Sequence, residues 1–202
     1  MGFTLTVKLT RGDQQLEGID FFETFAPVVQ WTTVLLILIL EVLLGLKSKK
    51  GDVTVAFIHA EIPQNENVHI EIPRGFEQFY HNGHREFLKP KKTLYGLRQS
   101  LRFFWKYLTK KLEQSGPKQS KFDPCLFVGE KVTYIVYVDD LMFWDRNKDD
   151  IHNLEMNLQG LGVDLEEEDD IAGLLGVTLG QEIKTGLIDM KQNGLISLLL
   201  KL

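Results

Sequence analysis

At 202 residues, 44% hydrophobic and 25% charged, the chain has ordinary globular make-up, which excludes wholesale disorder. A formal net charge of −5 excludes a uniformly basic nucleic-acid binder, and one cysteine, Cys125, excludes an internal disulfide and fits a reducing compartment. The longest apolar run, Val34 to Leu46, is broken by Glu41 and falls well short of the roughly 20 residues that span a bilayer, so it reads as a buried helix. No secretory signal is visible, and the match of Met1 to Thr6 to a myristoylation pattern is of a kind that often arises by chance.

In chain order, Phe3 to Thr10 alternates apolar and polar residues as a strand does, and Arg11-Gly12-Asp13 reads as a turn. Thr32 or Thr33 is the expected N-cap of a helix reaching about Leu46, with Gly45 near its end. A short, largely buried strand is expected from Lys50 to Ile58, and another from Val68 to Ile72 before Pro73-Arg74-Gly75. Asn82-Gly83 marks a hairpin turn leading into a strand near Glu86 to Lys89. Leu101, Phe104, Trp105, Leu108 and Leu112 keep helical spacing over a second helix, Leu101 to Ser115, which Gly116-Pro117 ends. Cys125 to Val128 and Val132 to Tyr137 read as paired strands, and Leu141 to Trp144 continues the apolar pattern. A third helix is expected over Asp149 to Leu161, a strand near Leu174 to Leu179, and the start of a helix at Leu195. Helices and antiparallel-looking strands in this order imply an α+β fold and not an alternating βαβ one.

Charge is unevenly spread. Between Arg85 and Lys121 eleven cations face only Glu86 and Glu113, whereas Glu166-Glu167-Glu168-Asp169-Asp170 is a dense acidic run. Solvated helix faces and a surface loop account for both runs as well as a nucleic-acid surface does. Asp139-Asp140 is more specific. Two adjacent carboxylates between apolar, strand-like segments are poorly explained by packing, because like charges side by side raise each other's pKa and buried charge is costly. Either they stay wet at a tight turn or they hold a divalent cation. Asp52, in Gly51-Asp52-Val53-Thr54-Val55-Ala56-Phe57, is a third carboxylate in a comparable strand setting. Three carboxylates on neighbouring strands are what two-metal phosphoryl transfer requires, with ions about 3.5–4 Å apart. His81 and His84 have no matching Cys or His pair and read as turn residues, and Cys125 reads as a small core residue.

Several blocks, in order, resemble the copia-type reverse transcriptases of LTR retrotransposons. Glu17-Gly18-Ile19-Asp20-Phe21-Phe22-Glu23-Thr24-Phe25-Ala26-Pro27-Val28-Val29 is similar to their opening block, and Gly51 to Ala60 to their first catalytic block. Leu94-Tyr95-Gly96-Leu97-Arg98-Gln99-Ser100, Ser120 to Phe127 and Tyr137-Val138-Asp139-Asp140 complete the series over roughly residues 10 to 200.

The resemblance implies a palm-and-fingers polymerase core whose ferredoxin-like antiparallel palm sheet packs on helices. About 1–45 and 60–120 would contribute fingers and about 46–59 and 121–190 the palm, with no RNase H or integrase region. It implies two Mg²⁺ ions, with Mn²⁺ as a substitute, held by Asp52, Asp139, Asp140 and the Val53 backbone carbonyl. Phe57 would be a steric gate against a ribose 2′-hydroxyl, though as a core ring it is equally well explained. Gly96, Arg98 and Gln99 would meet nucleotide and template, and Lys89, Lys91, Lys92, Arg102 and Lys106 the nucleic-acid phosphates. Leu174 to Leu179 resembles the block that supports the primer end. The partners implied are an RNA or DNA template with primer, and dNTPs; no membrane is implied, and the expected location is intracellular, cytoplasmic or nuclear.

The pattern is not complete. Leu5 and Val7 stand where the family usually has triphosphate-binding Lys and Arg, leaving Lys8 or Arg11 as substitutes. Leu35 replaces a common Arg, and Leu101 a usual Pro. These departures, in a chain expected to begin inside the fingers and stop just past the palm, imply the alternative of a degenerate, inactive retroelement fragment that at most binds nucleic acid. A template-independent palm-type nucleotidyl transferase, such as a cyclase, is a third reading that the blocks around Tyr95 and Pro124 oppose.

Overall fold

The computed structural model describes residues 12–72, 87–168, 177–182, 187–192 and 196–197. A 3₁₀ turn at Gly12–Gln14 precedes α1 (Trp31–Leu44), then β1 (Lys47–Val53) and a second 3₁₀ turn at Ala56–His59. The short strands β2 (Ile70–Glu71) and β3 (Phe87–Leu88) pair antiparallel before α2 (Ser100–Gln114). Next come β4 (Lys118–Gln119), β5 (Leu126–Val128), β6 (Thr133–Tyr137), β7 (Asp140–Asp145), α3 (Lys148–Gly160), β8 (Leu165–Glu168), β9 (Thr178–Glu182) and β10 (Leu187–Lys191). The fold is mixed α+β. Its chain divides into two compact units, residues 1–26 with 55–109, and residues 27–54 with 110–202. Among the described residues no helix is long and apolar enough to cross a membrane.

The second unit is built on a six-stranded antiparallel sheet in the order β4-β5-β6-β7-β1-β8. Side chains alternate across a strand, so the register sorts each residue to a face. One face carries Lys49, Gly51, Leu141, Phe143, Tyr134, Val136 and Phe127, with α3 on it through Ile151, Leu154 and Leu158. Here the Tyr134 ring stacks on Phe127 at 5.0 Å and lies 5.8 Å from Phe143. Phe143, Tyr134 and Leu158 are fully buried, each worth about 1.5–3 kcal/mol of apolar transfer. Lys49 reaches the buried Glu155 of α3 at 2.7 Å.

The other face carries Ser48, Lys50, Asp52, Asp140, Met142 and Trp144. Its far end is clamped to α1 by one buried carboxylate, Glu41. Glu41 accepts from the Ser48 hydroxyl and from the Trp144 indole N–H, both at 2.8 Å. A buried charge is tolerable only when hydrogen-bonded, and these donors come from directly paired positions on β1 and β7.

The N-terminus of α1 is capped from far along the chain. Its N-cap residue is Gln30, with no side-chain cap of its own, and not the expected Thr32 or Thr33. Asp123, 1% exposed, supplies the carboxylate instead. Its Oδ2 accepts from the Gln30 amide at 3.0 Å and the Thr33 hydroxyl at 2.6 Å, and its Oδ1 from the Cys125 amide at 2.9 Å. Thr33 is thus occupied by Asp123, whose negative charge suits the positive end of the helix dipole. Gly45 ends α1 in the left-handed region, as expected.

Other expectations shift. The strand expected over Lys50 to Ile58 starts at Lys47 and stops at Val53, because Val55 takes φ +50° and turns the chain into the 3₁₀ segment that holds Phe57. The acidic run begins as strand β8, not as a loop; of the strand expected near Leu174 to Leu179, residues 174–176 lie outside the described residues, and β9 begins at Thr178. The expected Phe3 to Thr10 strand, the Asn82-Gly83 turn, His81 and His84 lie outside the described residues.

Replacing Asp123 by alanine strands the buried Cys125 N–H and removes the acceptor of the Gln30 amide and the Thr33 hydroxyl, and should lower unfolding stability by about 1–3 kcal/mol, measured by urea denaturation. Cys125 is fully buried, and burial followed by the nearby Asp123 charge pushes its thiol up to about 12. At pH 8 the thiol therefore stays protonated. A thiol-specific disulfide reagent should label the native chain orders of magnitude more slowly than the urea-unfolded chain; equal rates would contradict the burial.

Candidate metal centre at the turn between β6 and β7

Tyr137 pairs with Asp140, so β6 and β7 are joined by the two-residue turn Val138-Asp139. Such hairpins need left-handed backbone, and a positive φ at the first central residue alone is the pattern of a type II′ turn, normally glycine. Here Val138 takes φ +58°. A β-branched residue in that region is strained by about 1–2 kcal/mol, and it persists because the two strands over-determine the turn. A further bond holds it, from the Val53 amide to the Asp139 carbonyl at 2.9 Å.

This turn fixes where the carboxylates fall. In the β1–β7 pair Asp52 lies directly opposite Asp140, which sets their Cα atoms about 4.5–5.5 Å apart with both side chains on one face. Asp139 follows in the turn itself, and all three residues are half-buried. The long separation in sequence is therefore closed by strand pairing. Two residues before Asp52 and on the same face, Lys50 places Nζ 3.2 Å from Asp140 Oδ1. Beyond β1, Glu166 of β8 stands opposite Asp52 and is exposed, so Asp140, Asp52 and Glu166 form a row across three strands.

Half-exposed carboxylates on one face supply the hard oxygen donors that Mg²⁺ or Mn²⁺ takes, so the donor chemistry of Asp52 and Asp140 fits such an ion. Among the described residues, no group of three Asp, Glu, His or Cys side chains closes on a single point. The register brings two of the three expected ligands face to face, with the third adjacent in the turn. Val53, whose carbonyl is an expected ligand, is buried beside them.

The remaining expected residues belong to the other unit. Phe57 packs edge-on against Tyr95 at 4.6 Å and Phe104 at 5.7 Å, and its carbonyl accepts from the Thr93 hydroxyl. Gly96 is exposed at φ +94°, and its carbonyl leaves no room for a Cβ on Gly12. Gly12 was read only as part of a turn; this close approach is its further role. The Arg98 guanidinium donates to the Gly12 carbonyl at 2.8 Å and lies over the Phe21 ring at 5.5 Å. Gln99 is buried, donates to the Asp20 carbonyl and accepts from Gln15, both at 3.1 Å. These two residues therefore hold the segment 12–21. Of the expected phosphate contacts, Lys91, Lys92 and Lys106 are exposed, Lys89 donates to the Gln64 carbonyl at 3.0 Å, and Arg102 pairs with Glu23. Lys8 and Arg11 lie outside the described residues. Sequence reasoning missed Lys50 and Glu166, since only strand register brings them to Asp140 and Asp52.

The chain belongs to the reverse transcriptase (RNA-dependent DNA polymerase) family, whose profile matches residues 6–202. Within that family it is of copia type. It is 29% identical over 180 residues to the Retrovirus-related Pol polyprotein from transposon TNT 1-94 of Nicotiana tabacum, covering 86% of this chain and 13% of that protein. It is 28% identical over 183 residues to the corresponding polyprotein from transposon RE1 of Arabidopsis thaliana, covering 89% of this chain and 12% of that protein. The chain thus spans about an eighth of the length of the curated relatives it matches. A match along nearly the whole chain does not favour the alternative of a degenerate fragment.

Replacing Val138 by glycine removes the left-handed strain and should raise stability by up to about 1 kcal/mol in urea unfolding. A loss would show that the packing of the Val138 side chain outweighs the backbone strain.

Proposed function

We propose that this chain is the palm and fingers of an RNA-directed DNA polymerase, which adds dNMP to a primer 3′-hydroxyl on an RNA or DNA template and releases pyrophosphate. The observation that carries the reading is the pairing of Asp52 with Asp140 beside Asp139. In this reading about 1–45 and 60–120 contribute the fingers and about 46–59 and 121–190 the palm.

Asp52, Asp139 and Asp140, with the Val53 carbonyl, would hold two divalent ions, Mg²⁺ or Mn²⁺. When bound, such ions lower the pKa of an attacking hydroxyl and stabilise charge developing on the phosphoryl group. The protein's own contribution is positional. The β1–β7 register fixes Asp52 against Asp140, and the strained turn holds the Asp139 backbone against Val53, so no carboxylate must be ordered at the moment of reaction.

The exposed Lys91, Lys92 and Lys106 would contact nucleic-acid phosphates without reading sequence, with Lys89 and Arg102 joining them on exchange of their present partners. Binding would then weaken steeply with salt. The nucleotide-facing roles of Phe57, Gly96, Arg98 and Gln99 are supported by the family motifs, and Lys8 or Arg11 would stand in for the triphosphate-binding Lys and Arg that Leu5 and Val7 replace. Arg98 and Gln99 act first as positioning residues for the segment 12–21.

Primer extension with Mg²⁺ or Mn²⁺, on RNA and DNA templates, tests the proposal. Asp52→Asn and Asp139→Asn should each lower extension by about a hundredfold or more while leaving salt-sensitive primer–template binding within about twofold. Primer–template binding without metal-dependent extension would favour the inactive fragment, and product formed without template would favour the cyclase-like reading.

A further inference from the structure

Lys50 is an unusual neighbour for a metal-binding carboxylate. Its Nζ lies 3.2 Å from Asp140 Oδ1, with the two side chains only 13% and 23% exposed. Strand alternation puts Lys50 on the face of Asp52, two residues away, and the antiparallel register brings Asp140 diagonally within reach. Its register partners are Met142 on β7 and Glu168 on β8, and Ser48 lies two residues before it on β1. The ammonium is thus held by sheet geometry at the carboxylate the register aligns with Asp52.

We propose that Lys50 competes with the divalent cation for Asp140 and thereby raises the metal concentration this site requires. The inference deepens the carboxylate reading of the site and rests on it. An ammonium and a divalent ion cannot both sit on one carboxylate oxygen without repulsion. Lysine carries a point charge on a flexible stem, so the ion can displace it, but the displaced charge stays tethered to the same face. Across about 5 Å, a unit charge facing a divalent ion weakens its binding about tenfold even at the dielectric of water. Mg²⁺, which gives up its water reluctantly, is the more sensitive ion. Lys50 is therefore a metal-affinity determinant and not a ligand.

The test is Mn²⁺ binding to the full chain, read by isothermal titration calorimetry and by the loss of the free-ion electron paramagnetic resonance signal. Circular dichroism checks the folding of each variant. Lys50→Gln should bind Mn²⁺ about tenfold more tightly than the parent, and Lys50→Arg should remain within about twofold of it. Lys50→Met serves as a second charge removal should the glutamine variant fail to fold. In an Asp140→Asn background the gain from Lys50→Gln should be smaller than in the parent, because competition for Asp140 is gone and only repulsion across the face remains; an equal gain would show that Lys50 does not act through Asp140. Equal affinities for the parent and Lys50→Gln, with Asp52→Asn still weakening binding, overturn the inference and leave the carboxylate reading standing. No Asp52-dependent Mn²⁺ binding in any variant overturns both.

Discussion

The antiparallel register between β1 and β7 is the constraint on which the site depends. It sets Asp52 opposite Asp140, and a slip of one residue would send one of them to the opposite face of the sheet. Three separate interactions hold it. Glu41 binds the paired Ser48 and Trp144 at one end, the Val53 amide binds the Asp139 carbonyl at the other, and Lys49 anchors β1 to α3 through Glu155. None of these touches the face of Asp52 and Asp140 near the turn, which stays half-open to solvent. Stability is invested behind the carboxylates and beside them.

That arrangement explains why so many polar groups are buried in a small unit. Glu41, Asp123 and Glu155 are nearly inaccessible, yet each joins two elements distant in sequence. An apolar substitute could fill the same volume, but it could not select one register among several, since apolar contacts are non-directional. A carboxylate that must find a hydroxyl and an indole N–H on paired strands accepts only one alignment. The resulting precision reaches the site through β1, the strand that carries both Asp52 and Lys50.

The extents of α1, α2 and α3 were legible in the sequence to within a residue or two. But α1, read as a buried helix, exposes Leu35, Leu36, Ile39 and Leu43, because a helix apolar nearly all round does not say which face is covered. The β5–β6–β7 meander was legible too, from its continuous apolar strands and its Asp-Asp pair. What failed to show were features set by partners. The end of β1 depends on Val55 adopting a left-handed backbone that β-branched residues avoid, so extended propensity overran it to Ile58. β8 was hidden because Glu166 to Glu168 carries no apolar alternation; pairing with β1 makes it a strand. The cap of α1 lies some ninety residues away at Asp123, beyond any local signal. At the site itself, Asp52, Asp139 and Asp140 could be proposed from motif and type, but the pairing of Asp52 with Asp140 across β1 and β7 could not be read from the sequence. Nor could the ammonium of Lys50, which is an ordinary strand lysine until the register is known.

The turn that carries Asp139 and the strand that carries Lys50 pull the site in opposite directions. Val138 in a left-handed turn is a local sacrifice of stability that leaves Asp139 and Asp140 half-exposed, as the proposed cation binding would need. Lys50 partly neutralises what that turn concentrates, relieving the mutual repulsion of Asp140 and Asp52 when no ion is bound. The same charge that makes the empty face tolerable opposes the ion that would replace it. Under the proposed reading, one residue of β1 would set how strongly a cation is held as much as the carboxylates would.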